Sequence, residues 1–250
     1  MINIDEKDEK EFYNKIGSTI GWDFSKIKYQ LVDISSFKYF DEINNQITHR
    51  SILLDIGTGG GEKLTNLISD KCLLKVGTDF SAEMIKVANN NNKNCKIRFF
   101  EMNSESINFP NNFFDIICAR HTPFDSKEIF RLLNNNGIFF SEQIDEDDCK
   151  SLKEIFKRGQ GYNNKVKLIN KIKEEVEQQT FKKVEFFEIK QQEYYNTEED
   201  LLFLLRNTPI IPNFGEEKND YKKFNEYIEK YKTNKGILLE RKLFGIRARK

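Results

Sequence analysis

Apolar residues fall along this chain in short runs near 51–56, 73–78, 96–102, 115–119 and 137–142, with helix-like spacing between several of them. Largely apolar runs of five to seven residues alternating with helical stretches predict an α/β protein built on a buried sheet. Two of the helices carry start signals. Ser81 is placed to cap Ala82–Ala88, and Asp125 with Glu128 forms a capping-box pattern before Ile129-Phe130. Beyond 145 the pattern loosens into charged helical segments near 148–157 and 165–178, a strand near 183–189 and a last strand near 242–248. The interval 190–241 is too long for an ordinary loop. It holds Thr197-x-x-Asp200, a second capping-box pattern, then Leu201-Leu202-Phe203-Leu204-Leu205 and an apolar turn containing Pro209 and Pro212.

The first run, Ile52-Leu53-Leu54-Asp55-Ile56, ends in an acid and passes into Gly57-Thr58-Gly59-Gly60-Gly61. Such a run reads as a buried strand that stops at a ligand, because glycine lets a ligand approach the backbone and permits positive φ. About twenty residues on, Val76-Gly77-Thr78-Asp79 carries a second acid to the same edge of a parallel sheet, where Asp79 can accept hydrogen bonds from ribose hydroxyls. The dinucleotide spacing G-x-G-x-x-G would need glycine where Glu62 stands, so a dinucleotide is the weaker reading.

These residues resemble the first two motifs of the class I S-adenosylmethionine-dependent methyltransferases. Further stretches match in order: Asn103-Ser104-Glu105, then Phe109-Pro110-Asn111-Asn112-Phe113-Phe114-Asp115, then Arg131 to Phe140, so that the likeness covers 51–142. The family usually has Asp at the position of Asn103 and Pro-Gly at Asn136-Gly137. The resemblance implies a doubly wound, mostly parallel seven-stranded Rossmann-like sheet, with an N-terminal helical cover over 1–49, a cofactor-binding core over 50–145, and the remainder of the sheet over 146–250. The family's last two strands commonly form a hairpin, so the 190–241 interval becomes a helical insertion before the last strand, expected to act as a lid. S-adenosylmethionine is the implied cofactor. Asp55, Gly57, Thr58, Gly59 and Gly61 are expected near its methionine portion, Asp79 on the ribose, Asn103 and Ser104 at the adenine, and Phe80 and Tyr13 among the other cofactor-binding residues.

The cover segment Phe12-Tyr13 to Ser25 contains Gly17, Gly21, Phe24 and the only tryptophan, Trp22. Aromatics beside glycines suit a mobile cover, although an amphipathic helix buried against the core explains them too. At the other side of the expected site, Arg120-His121 follows the 115–119 run at the sheet's carboxyl edge. His121 is a candidate base, since a histidine titrates near neutrality and an oxygen acceptor needs its proton removed. Arg120 is a candidate for gripping a substrate carboxylate or phosphate, or for pairing internally with Glu142 or Asp125.

Composition narrows the partners. Forty basic residues balance forty acidic ones, so no overall field draws the chain to a polyanion, and a nucleic-acid substrate is not expected. An RNA base methyltransferase remains the alternative within the same chemistry, and a catalytically silent cofactor-binding module the alternative outside it. Twenty-two Phe and nine Tyr supply core material and aromatic walls suited to a small-molecule methyl acceptor. Cys72, Cys95, Cys118 and Cys149 lack C-x-x-C spacing and read as reduced, buried thiols. Two isolated histidines, His49 and His121, give no metal-ligand pattern, so no metal is expected. The start of the chain has no signal-peptide pattern and no window is apolar enough to span a bilayer, which predicts a cytoplasmic protein; its oligomeric state, monomer or homodimer, is not given by the sequence.

Overall fold

The computed structural model describes residues 6–19 and 24–250, with side chains from Glu11 onward. In chain order the elements are α1 (Glu6–Thr19), β1 (Tyr29–Asp33), α2 (Tyr39–Asn44), β2 (Ile52–Ile56), α3 (Glu62–Asn66), β3 (Leu74–Asp79), α4 (Ala82–Asn91), β4 (Ile97–Glu101) and β5 (Phe114–Arg120). They continue with α5 (Ser126–Leu132), β6 (Leu133–Ile144), α6 (Lys150–Phe156), α7 (Leu168–Glu177), β7 (Lys183–Tyr195), α8 (Glu198–Asn207), α9 (Asp220–Tyr231), β8 (Lys232–Thr233) and β9 (Gly236–Arg249).

All the strands join one sheet in the order β1-β7-β9-β6-β5-β2-β3-β4, with β8 paired beside β9. The half from β6 to β4 is parallel, and β9, β7 and β1 are antiparallel. Strands covered by helices on both faces must be apolar on both, which is why Leu53, Leu54 and Ile56 of β2 and Ile116, Ile117 and Cys118 of β5 are buried in succession. Two apolar layers result. Phe37, Ile43, Leu53, Cys118 and Phe140 lie in one, and Leu54, Val76, Ile117, Ile129 and Phe139 in the other.

The Rossmann-like architecture is as expected, with nine strands among the described residues rather than seven. One addition is β1, an edge strand inside the 1–49 stretch expected to be purely helical. Its Tyr29 and Leu31 remain exposed, so it carries little apolar alternation to read. The last two long strands also outrun expectation: they pair without interruption from Lys183↔Arg249 to Tyr195↔Ile237. Lys190-Gln191-Gln192-Glu193 has no strand-like composition, and its place in the ladder comes from its partner strand. The insertion therefore spans 196–235. Its α8 and α9 pack with α6 and with Ile27, Tyr195 and Leu239 into a third apolar cluster around Leu201, Leu205, Phe224 and Tyr227.

The start signals are partly confirmed. Ser81 accepts from Met84 N, and Thr197 accepts from Asp200 N at 3.1 Å. Asp125 accepts from Glu128 N at 2.8 Å, but the Glu128 carboxylate takes Ile107 N and Arg131 instead of closing the box. Asn134-Asn135-Asn136 lies in the opening stretch of β6. Cys72, Cys118 and Cys149 are buried thiols, whereas Cys95 is exposed. No helix among the described residues is long and apolar enough to cross a membrane.

Candidate functional site

At the carboxyl end of β2 the chain turns through three left-handed glycines, Gly57 at φ 69°, Gly59 at φ 57° and Gly61 at φ 79°. A Cβ on Gly57 would lie 2.5 Å from the Thr122 side chain, and one on Gly61 would lie 2.6 Å from the Phe99 ring. Side chains are thus excluded by space as well as by φ. The carboxylate of Asp79 ties the turn to the next strand: Oδ2 accepts from Gly59 N and Oδ1 from Ser81 N, each at 2.9 Å. Ser81 also donates to Asn14 Oδ1 at 2.6 Å, which fastens α1 onto α4.

These elements enclose a cavity of about 320 Å³. Asp55, Gly57, Thr58, Gly59, Asp79, Phe80, Asn103, Ser104, Tyr13, Arg120 and His121 all line it. Gly61 does not: it caps the N-terminus of α3 and packs under Phe99, so its glycine is required by the turn and not by a ligand. The cavity also takes Tyr39, Phe40, Met84, Met102 and Thr122. Tyr39-Phe40 could have been read by the aromatic argument applied to residues 12–25, whereas Met84 and Met102 carry no distinguishing signal.

Tyr13 meets Phe80 edge-on at 5.8 Å, so α1 contributes to the cavity wall. Gly17 is no hinge, because it lies inside α1, where a Cβ would sit 3.2 Å from Met84 N. Gly21 and Trp22 of the same expectation lie outside the described residues. As for the insertion expected as a lid, among the described residues nothing beyond Pro123 lines the cavity, and α8 and α9 pack their apolar faces into their own cluster.

Burial pushes the Asp55 carboxyl up to about 7, although the neighbouring Thr58 hydroxyl and Arg120 oppose it. Burial also raises Asp79, against the pull of the Ser81, Gly59 and Phe80 amides. Behind Arg120 and His121, burial would raise Glu142, yet those two residues hold it down to about 2. Arg120 Nε donates to Glu142 Oε1 at 2.8 Å, and His121 Nε2 lies 3.2 Å from the same oxygen. His121 is fixed by φ 55° and by its amide donating to Glu142 O at 2.8 Å. Burial and the Arg120 charge bring its pKa down to about 4, so it is neutral at physiological pH. The internal partner of Arg120 is therefore Glu142. Among the described residues no cluster of three or more His, Cys, Asp or Glu could hold a metal ion.

Tyr39 Oη and Thr58 Oγ1 are buried cavity-wall atoms with no well-aligned hydrogen bond, and His121 Nε2 has only its 3.2 Å approach to Glu142, so a polar ligand would find under-used groups here. With two acids behind a glycine cradle and an aromatic wall at Tyr13 and Phe80, these walls fit a cationic, nucleoside-bearing cofactor.

Residues 54–141 match the family model described as a methyltransferase domain, a span running from β2 through β6. No curated protein matches the sequence. Among solved structures, YcgJ of Bacillus subtilis is similar at a TM-score of 0.60 and 18% identity, over 84% of this chain and 95% of that one. Phosphoethanolamine N-methyltransferase 2 of Haemonchus contortus, in complex with phosphomonomethylethanolamine and S-adenosylhomocysteine, is similar at 0.52 and 17%, over 84% and 52%. The [4+2]-cyclase SpnF is similar at 0.53 and 14%, over 96% and 91%.

Proposed function

On the premise that this chain is a class I S-adenosylmethionine-dependent methyltransferase, we propose that it methylates an oxygen nucleophile of a small molecule, with His121 as the base. Bound S-adenosylmethionine supplies the electrophilic methyl group, so the protein's task is to position the acceptor and take its proton. Asp79 would hold the ribose hydroxyls with lone pairs left over from Gly59 and Ser81. Asp55 and the Gly57–Gly59 turn would face the methionine portion. Asn103 and Ser104 would meet the adenine, Asn103 Oδ1 being already bonded to Glu105 N at 3.0 Å. Tyr13 and Phe80 would close the aromatic side.

One observation carries the choice of oxygen over nitrogen: a neutral histidine stands 3.2 Å from a carboxylate that Arg120 keeps ionised. With the Nε2 proton directed at Glu142, Nδ1 holds the free lone pair, and Glu142 stabilises the imidazolium that proton removal creates. An amine acceptor could attack as the free base and would have no use for this pair. A relative that acts as a [4+2]-cyclase is a reminder that the fold alone does not dictate the reaction.

The test is a radiolabelled methyl screen of cell extract with wild-type protein and His121→Ala, followed by identification of the methylated atom. The reading expects an O-methyl product whose formation falls by roughly 10²–10⁴-fold in the variant while S-adenosylhomocysteine affinity is kept. An N-methyl product made equally well by both proteins would overturn it.

A further inference from the structure

Within that reaction, the geometry points to Arg120 as the subsite for an anionic group on the methyl acceptor, which makes the substrate a carboxylate- or phosphate-bearing small molecule. This rests on the cavity being the methyltransferase site and adds the class of compound it takes.

Arg120 ends β5, opposite Glu142 of β6 in the sheet register, and its side chain lines the cavity. Only Nε is engaged within the protein, at 2.8 Å from Glu142 Oε1. Neither terminal nitrogen has a hydrogen-bond partner among the described residues, while the guanidinium carbon stands 5.8 Å from the Phe40 ring centroid. The planar group is thus clamped from one edge by a carboxylate and from its face by an aromatic ring, and the opposite edge is left open. That edge presents two amino groups spaced to match a carboxylate or phosphate, so little side-chain freedom is lost when an anion docks.

Position separates this subsite from the cofactor's acids. Asp79 ends β3, Asp55 lies on β2 between β3 and β5, and Arg120 lies a strand further on, toward β6. His121 follows Arg120 directly and shares its Glu142 oxygen. An acceptor whose anion meets the Arg120 fork therefore brings a nearby hydroxyl to the His121 side. Glu142 then orients both residues, and it repels an anion that approaches from its own edge of the guanidinium. Pocket walls from Tyr39 and Phe40 leave room for an apolar or aromatic body between the two ends.

The experiment uses full-length protein saturated with S-adenosylhomocysteine and titrates three probes by calorimetry: 4-hydroxybenzoate, phenyl phosphate and neutral phenol. The same titrations follow on Arg120→Gln, and on Arg120→Gln/Glu142→Gln, which removes both charges so that no buried carboxylate is stranded; thermal unfolding confirms that each variant is folded. We expect at least one anionic probe to bind tenfold or more tightly than phenol, and both variants to lose that preference with S-adenosylhomocysteine affinity within about threefold of wild type. A tenfold or greater loss of S-adenosylhomocysteine affinity in both variants would assign Arg120 to the cofactor's own carboxylate and overturn the proposal. Equal binding of the anions and phenol, or binding of none of them, would overturn it as well. Failure of wild-type protein to bind S-adenosylhomocysteine would instead strike the methyltransferase reading itself.

Discussion

The two halves of this sheet are built on different logic. From β6 to β4 the strands are parallel and, apart from the edge strand β4, largely buried on both faces, and the carboxyl ends of β2 to β5 converge on a cavity whose walls include glycine turns and strand-terminal acids. From β9 to β1 they are antiparallel, the two central ones are longer, and the helices inserted between them close on a separate apolar cluster with no share in the cavity. The first half concentrates ligand-facing groups, and the second half is organised around its own packing.

The sharpest way to break that contrast is Leu201→Ala, which empties a fully buried position in the insertion cluster. It should cost about 2–5 kcal/mol of stability in denaturant unfolding, yet leave the S-adenosylhomocysteine dissociation constant of the folded protein unchanged. A weakened affinity would mean that the insertion reaches the site after all.

In the other half, Asp79→Ala removes both the proposed ribose acceptor and the tie between Gly59 N and Ser81 N. Cofactor affinity should fall by about 1.5–3 kcal/mol, measured by calorimetry. An unchanged constant would remove Asp79 from the proposed site.

Protonation sharpens the comparison within the site itself. With Asp55 raised to about 7, the ligand-free protein carries a substantial fraction of it neutral at physiological pH. A cationic ligand beside it would favour the ionised form, so binding should release a proton and weaken as pH falls through 7, by up to about tenfold per pH unit. Calorimetry in buffers of different ionisation enthalpy reads that proton, and Asp55→Asn should abolish it. Ligand-free stability follows the same linkage. Between about pH 4 and 7 the folded state keeps a proton on Asp55 that the unfolded chain has lost, so this group's contribution declines as pH rises. His121, lowered to about 4, acts in the opposite sense from pH 4 to 6.5, because there the unfolded chain binds the extra proton. Its base function should accordingly show no acid limb near 6.5.

The smallest test pairs two helix caps. Ser81→Ala and Thr197→Ala each remove a side chain that accepts from a helix amide, at a cost of about 1 kcal/mol. Only Ser81→Ala should also weaken S-adenosylhomocysteine, because Ser81 fastens α1, and with it Tyr13, over the cavity.

Much of the site was readable in the sequence because its residues are adjacent in the chain and forced by local geometry. A glycine cluster after an apolar run ending in Asp55, and Asp79 a strand later, announce a sheet edge that meets a ligand. Residues that reach the cavity through packing were not readable. Met84 and Met102 carry no distinguishing signal, and Glu142, one of two acids the sequence offers Arg120, is selected over Asp125 only because β6 lies beside β5. In the fold, β1 and the polar stretch Lys190–Glu193 were hidden for the same reason, since each owes its strand state to a partner distant in sequence. Gly61 failed the other way. It belongs to the motif, and the turn alone accounts for it.

The division between a ligand-facing half and a self-packed half is tested most directly by amide hydrogen exchange with and without saturating S-adenosylhomocysteine. Added protection is predicted at 57–61, 79–84, 102–105 and 120–122, together with α1, and none across α8 and α9. Protection of α8 and α9 equal to that of the glycine turn, or no protection at 57–61, would contradict the account.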